Sequence, residues 1–261
     1  GGTGFLDVLF GGSHTALAAD AGDALFDADC VAYARGGEGN DTLSGGNGDT
    51  LIGGAGDDSL TYTGGASAAF SLQGGIGADL IGVNGPLSMA ANGNSSAIMG
   101  GSSAGHNDIL RFITGGSVAL NPDGVEDIIK EVEIFDFATN TLANTITIDF
   151  RNFMVDFNLG NLLTIKINDS DNLLLNFGGL NYHVVSGDID LKNGANYIEF
   201  REDSSANTVR IEYTTNAGAT GNITINGLGA TGPLSLNGII AGVNAMDGFA
   251  VSDNFCLGLA H

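Results

Sequence analysis

Gly36-Gly37-Glu38-Gly39-Asn40-Asp41-Thr42-Leu43-Ser44, Gly45-Gly46-Asn47-Gly48-Asp49-Thr50-Leu51-Ile52 and Gly53-Gly54-Ala55-Gly56-Asp57-Asp58-Ser59-Leu60-Thr61 follow one another in tandem. Each unit runs Gly-Gly-x-Gly, then an Asp, a polar residue and a Leu; the first and third have a nine-residue period and the second is one residue short. Glycine reaches positive φ without a Cβ clash, so Gly-Gly-x-Gly can bend sharply and turn its carbonyls toward a common point. Three residues then run extended, with Leu43, Leu51 and Leu60 on one face and Thr42, Thr50 and Ser59 on the other. A unit is therefore a turn plus a short strand, and units two apart stack at the sheet spacing of roughly 5 Å. Asp41 and Asp58 fall on one side of the stack, and Asp49 on the other.

Carboxylates stacked at that distance repel by about 1 kcal/mol per pair even in a water-like dielectric. A cation between the turns reverses the sign and couples binding to folding. Ca²⁺ accepts six to eight hard oxygen ligands, carbonyl and carboxylate alike, in flexible geometry. The expected fold is all-β: a calcium-binding parallel β-roll, that is, a β-solenoid. The expected cofactor is calcium, held by Gly36, Gly37, Gly39 and Asp41, by Gly45, Gly46, Gly48 and Asp49, and by Gly53, Gly54, Gly56 and Asp58. A flexible Gly/Asp linker would lack the phased leucines.

Weaker copies lie on both sides. Residues 1–12 form a nonapeptide with one insertion, and Asp23 precedes Asp41 by eighteen residues, so Asp23 is assigned to the Asp41 and Asp58 column. Gly64 to Phe70 keeps the turn glycines but has lost its Asp. Gly74-Gly75-Ile76-Gly77-Ala78-Asp79-Leu80-Ile81 restores the pattern, with Asp79 as ligand, and Asn107-Asp108-Ile109-Leu110 is a remnant offering Asp108. Residues 83–104, rich in Gly, Ser, Asn and Ala, read as an irregular excursion.

Beyond residue 116 glycine thins and period-two apolar segments take over, at Ile146–Phe150, Leu163–Ile167, Leu173–Phe177, Val209–Tyr213 and Ile223–Ile225. Their spacing suits a solenoid or a sandwich and does not choose between them. Two regions are expected: the calcium roll at 1–115 and a β-rich region at 116–261. Val125, Ile128, Ile129 and Val132 have helical spacing, which predicts one short helix. Asp169 and Asp171 are either a further calcium site or turn caps, the commoner role.

Acidic residues outnumber basic ones by 30 to 8, and the net charge of −22 argues against nucleic acid and anionic membrane surfaces as partners. The chain is nonetheless 43% hydrophobic, in alternating strands, which argues against disorder. No run of eighteen apolar residues exists to span a membrane. The chain begins without Met or a basic, apolar leader, so a fragment or processed product is expected. Cys30 and Cys256 are either a disulfide or two unpaired thiols.

Residues 36–61 resemble the repeats-in-toxin (RTX) family of type I secreted proteins. Val132-Glu133-Ile134-Phe135-Asp136-Phe137, Asn144–Ile148 and Leu163–Asp169 are similar to segments flanking such repeats in large bacterial adhesins. The resemblance implies export unfolded through a type I channel and folding on meeting calcium outside. The expected function is that of an extracellular calcium-dependent structural protein that self-assembles or adheres at the cell surface, as an S-layer, filament or adhesin segment. Its partners would be further copies of the chain, in a lattice or filament, or cell-surface glycans and proteins. The alternative is the C-terminal calcium-binding secretion and folding domain of a type I secreted hydrolase or toxin. Phe249 to His261 is similar to an uncleaved export signal in position only.

An enzyme is not expected. Gly101-Ser102-Ser103-Ala104-Gly105 matches the nucleophile elbow, but that elbow needs a strand-to-helix turn of an α/β sheet, and no βα alternation is present. His14, His106, His183 and His261 are scattered and form no zinc helix.

Overall fold

A computed structural model describes residues 8–10, 15–17, 24–26, 33–65, 69–84, 87–88, 96–101, 105–120, 128–140, 142–149, 162–168, 170–176, 182–189, 196–202, 206–214, 222–226 and 234–235. Among them are strands and turns, with no helix and so none long and apolar enough to cross a membrane. A long sheet runs in spatial order through Val8–Phe10, Ala24–Phe26, Thr42–Gly45, Ser59–Tyr62, Leu80–Val83, Ile109–Phe112, Ile134–Asp136, Leu162–Asn168 and Thr208–Thr214, all parallel. Antiparallel Asn196–Glu202 and Tyr182–Ile189 end it. A second, wholly parallel sheet holds Thr15–Leu17, Tyr33–Glu38, Thr50–Ala55, Ser71–Ile76, Ala97–Gly101 and Ile128–Lys130. A third holds Leu87–Ser88, Gly116–Leu120, Asn144–Asp149, Asn172–Asn176 and Asn222–Asn226 in parallel, then antiparallel Leu234–Ser235.

Up to Leu80–Val83 the chain alternates between the long and second sheets, one strand per unit, so strands two apart in sequence become neighbours in space. Register follows the leucines. Leu43, Leu60, Ile81, Leu110, Phe135, Ile165 and Ile211 are aligned across successive strands and fully buried. Ala34, Leu51, Leu72, Ile98 and Ile129 form the facing column in the second sheet. With Val118, Ile146, Leu173 and their neighbours in the third sheet, they make one continuous core. The stacked rings of Phe112 and Phe137, 4.1 Å apart, extend it along the long sheet.

Two expectations are corrected. The apolar residues before Val132 make a strand, Ile128–Lys130, and not a helix, because β-branched Ile129 aligns with Ile98 and completes the second sheet's buried column. Val125 lies outside the described residues. Residues 83–104 are not wholly an irregular excursion: they contain Leu87–Ser88, the first strand of the third sheet, and Ala97–Gly101, in register with Ser71–Ile76. The change of composition at residue 116 marks no break in the sheets, since Ile109–Phe112 pairs with Ile134–Asp136 across it. Beyond it the period-two segments pair in parallel, where a sandwich of hairpins would pair them antiparallel.

Leu60 lies between Leu43 and Ile81, so Leu60→Ala should cost about 3 kcal/mol in urea unfolding, as cavities at buried leucines do. Thr61→Ala, on the outer face of the same strand, should change stability by less than about 0.5 kcal/mol.

Candidate metal centre

The turns Gly36–Asp41, Gly53–Asp58 and Gly74–Asp79 lead from the second sheet into the long sheet and stack on one another. Gly54 shows why glycine is needed: its φ is +131°, and a Cβ there would overlap the carbonyl oxygen of Gly37 in the turn before. Gly53 is held to glycine by a different contact, since its Cβ would overlap Oδ2 of Asp58 in its own turn. Gly36 and Gly74 stand in the same relation to Asp41 and Asp79.

Each of these carboxylates faces inward and joins a ladder. The Asp41 N–H donates to Asp58 Oδ1 at 2.7 Å, the Asp58 N–H to Asp79 Oδ1 at 2.8 Å, and the Asp79 N–H to Asp108 Oδ1 at 2.7 Å. The Asp108 N–H donates to Glu133 Oε2 at 2.8 Å. Asp41, Asp58, Asp79 and Asp108 are all buried. A second ladder on the outside runs the other way, from the Asp57 N–H to Asn40 Oδ1 at 2.9 Å and from the Ala78 N–H to Asp57 Oδ1 at 2.9 Å.

In the inner ladder Oδ1 of Asp58, Asp79 and Asp108 and Oε2 of Glu133 each accept an N–H from the turn before. Oδ2 of Asp58 and of Asp79 is buried without a hydrogen-bond partner, which is costly in a folded protein. The ion pairs of Arg111 with Asp136, Lys166 with Glu212 and Arg210 with Glu199 and Glu212 use none of the ladder carboxylates. Burial, then repulsion from Asp79, Asp41 and Asp57, pushes the Asp58 carboxyl up to about 7 against the pull of the Asp41 N–H. Burial and the charges of Asp79, Glu133 and Glu131 push Asp108 up to about 7 as well, and Asp79 and Glu133 are raised chiefly by burial.

Such a column needs protons or a cation. The donor chemistry fits a hard cation: every side-chain donor is an oxygen, orphaned oxygens lie inside the turns, and glycine carbonyls stack alongside. Among the described residues no three carboxylates, imidazoles or thiolates converge on one point, so a cation would draw much of its coordination from the backbone.

The three predicted turns are not equivalent. Gly36, Gly37, Gly39 and Asp41 stack with Gly53, Gly54, Gly56 and Asp58, and Asp79 and Asp108 continue the column. Gly45, Gly46, Gly48 and Asp49 lie at the opposite corner, where Asp49 Oδ2 accepts the N–H of Gly46 in its own turn at 2.5 Å. Asp23, Asp169, Ser103, Cys30 and Cys256 lie outside the described residues. Asp171 caps a turn: it accepts the N–H groups of Asn168 at 2.8 Å and Asn144 at 3.0 Å, and its own N–H donates to Asn168 O. Glu133 is a rung that the repeat pattern misses. Its signal is faint, an acid followed by two apolar residues as in Asp79-Leu80-Ile81 and Asp108-Ile109-Leu110, without the glycines.

No family model, curated protein or solved structure matches this chain.

Two measurements probe the ladder. A group whose folded pKa is raised stabilises the fold while protonated and loses that contribution as pH climbs through the folded value. In metal-free buffer the urea midpoint should therefore fall between pH ~4, near the ordinary Asp value, and pH ~7, the raised value of Asp58 and Asp108; a midpoint that is flat or rises across that window would contradict the assignment. Gly53→Ala should cost about 3 kcal/mol or more in urea unfolding, because Asp58 and the Gly74 carbonyl both occupy the space of the new methyl. Gly65→Ala, with nothing within 4 Å, should change little.

Proposed function

We propose that this chain is an RTX-type calcium-binding β-roll, built as a solenoid, of an extracellular structural protein that self-assembles or adheres at the cell surface. The observation that carries this reading is the column of buried carboxylates with orphaned oxygens at Asp58 and Asp79. Calcium would be held by Asp41, Asp58, Asp79 and Asp108 together with carbonyls of Gly36, Gly37, Gly39, Gly53, Gly54 and Gly56. Bound there, it supplies positive charge that neutralises the column and ties neighbouring turns together. The chain's own residues do the rest: the glycines let the turns approach, the aspartate oxygens accept from the backbone, and the leucines close the core.

This arrangement suits a chain that is exported before it folds. Without a cation the ladder resists closure at neutral pH, and at extracellular calcium levels, where modules bind with dissociation constants of about 10⁻⁴–10⁻³ M, it closes. Support for an associative role comes from the sheets. The outermost described strands of the second sheet are Thr15–Leu17 and Ile128–Lys130, both parallel to their neighbours, and the edge of a sheet is a template for further strands. The acidic balance, 30 acids to 8 bases, keeps nucleic acid out of the list of partners.

Circular dichroism and analytical ultracentrifugation across a calcium titration at neutral pH test the reading. Partial loss of β signal in chelator, with completed folding and large assemblies as calcium rises, is the expected result. A folded species that stays monomeric at high calcium would remove the assembly role and favour a roll appended to a secreted hydrolase or toxin. A β signal indifferent to calcium would remove the metal.

A further inference from the structure

The two corners of the stack carry the same Gly-Gly-x-Gly sequence and different chemistry. At the first, aligned rungs are acid upon acid. At the second, Thr50 pairs with Ser71 and Ser71 with Ala97, so the residues preceding them, Asp49, Phe70 and Ser96, form the successive rungs. Only Asp49 is an acid. Its carboxylate turns back on the Gly46 N–H, and its carbonyl takes the Ser71 N–H at 2.8 Å.

What replaces an ion there is an aromatic pair. Phe70 is buried with its ring 4.2 Å from that of Tyr62. The Tyr62 hydroxyl donates to Asn47 Oδ1 at 2.9 Å, and the Gly65 N–H donates to the same oxygen at 2.8 Å. The Gly48 N–H donates to Ala69 O, and the Thr63 N–H to Gly45 O, each at 2.8 Å. Asp49 Oδ2 and Asn47 Oδ1 are already accepting hydrogen bonds, and an apolar ring fills the next rung.

We infer that the Gly45–Asp49 corner is a metal-independent clamp, built from Asn47, Tyr62 and Phe70 with Asp49 as a turn cap, and that cation binding belongs to the Asp41–Asp58–Asp79–Asp108 corner alone among the described turns. The inference rests on the calcium reading above and gives the reason why Gly45, Gly46, Gly48 and Asp49, expected as ligands from the sequence, stand outside its ligand set. The consequence is a fold whose two edges respond differently to metal, one opening when calcium is withdrawn and the other held by packing.

Equilibrium dialysis with calcium, paired with melting curves in metal-free and calcium-containing buffer, tests this on the whole chain. Asp49→Asn should bind as many calcium ions as the unaltered chain and keep its calcium-induced rise in Tm, whereas Asp58→Asn should bind at least one ion fewer and lose at least half of that rise. Phe70→Leu should lower Tm by the same amount with and without calcium, which decides the matter if Asp49→Asn does not fold. An ion lost from Asp49→Asn, or a Phe70→Leu deficit that appears only with calcium, overturns the clamp. An unaltered chain that binds no calcium overturns the calcium reading itself, and the one-cornered assignment with it.

Discussion

A backbone N–H of one turn donating to the carboxylate of the next sets both the spacing and the electrostatic problem of this protein. The hydrogen bond brings turns 17, 21, 29 and 25 residues apart into contact, from Asp41 to Glu133. It also gathers negative charge into a buried column where Asp58 and Asp79 each keep an oxygen without a hydrogen bond. Glycine follows from the same contact, since at Gly53 any side chain would displace the aspartate that closes the turn. The leucine column follows too, because turns locked in register put Leu43, Leu60 and Ile81 directly over one another.

The separation between rungs, which grows from 17 to 29 residues and then falls to 25, records how the fold changes along the chain. The step from 21 to 29 residues is where Leu87–Ser88 opens the third sheet beside the other two. Among the described residues, Ile128–Lys130 is the last strand of the second sheet, Glu133 is the last carboxylate of the column, and Leu163 stands at the next aligned position. From there the buried polar groups include amides and the turn-capping Asp171, whose two oxygens both accept hydrogen bonds. The Asn140 side chain donates to Phe112 O and the Asn168 side chain to Asn140 O, both at 2.8 Å. Charge is held on the outer face of the long sheet, where Arg210 meets Glu199 and lies over the Tyr197 ring. One part of the chain thus asks for a cation and the other satisfies itself.

Residues 36–61 were readable because period-two alternation and the glycine phase act locally, each Leu within three residues of the turn that aims it. The column through Asp58, Asp79 and Asp108 was legible for the same reason. Glu133 was not, because its turn lacks the glycines and a longer side chain makes up the reach. Ala97–Gly101 was hidden by composition: Gly, Ser, Asn and Ala look like a loop, and only Ile98 carries the buried position. The helical spacing before Val132 misled because three apolar residues fit either period, and the partner strand decided. Asp49 belongs to a turn that is nearly a full repeat; what sets its corner apart is Phe70, twenty-one residues on, a relation that exists only once the strands pair.

The most direct test of the central claim is an electron-density map from crystals grown in calcium at neutral pH. The account predicts spherical density bonded to Oδ2 of Asp58 and of Asp79, with glycine carbonyls completing the shell. Carboxylates that keep their hydrogen bonds to the neighbouring turns with no ion beside them, in crystals saturated with calcium, would contradict it.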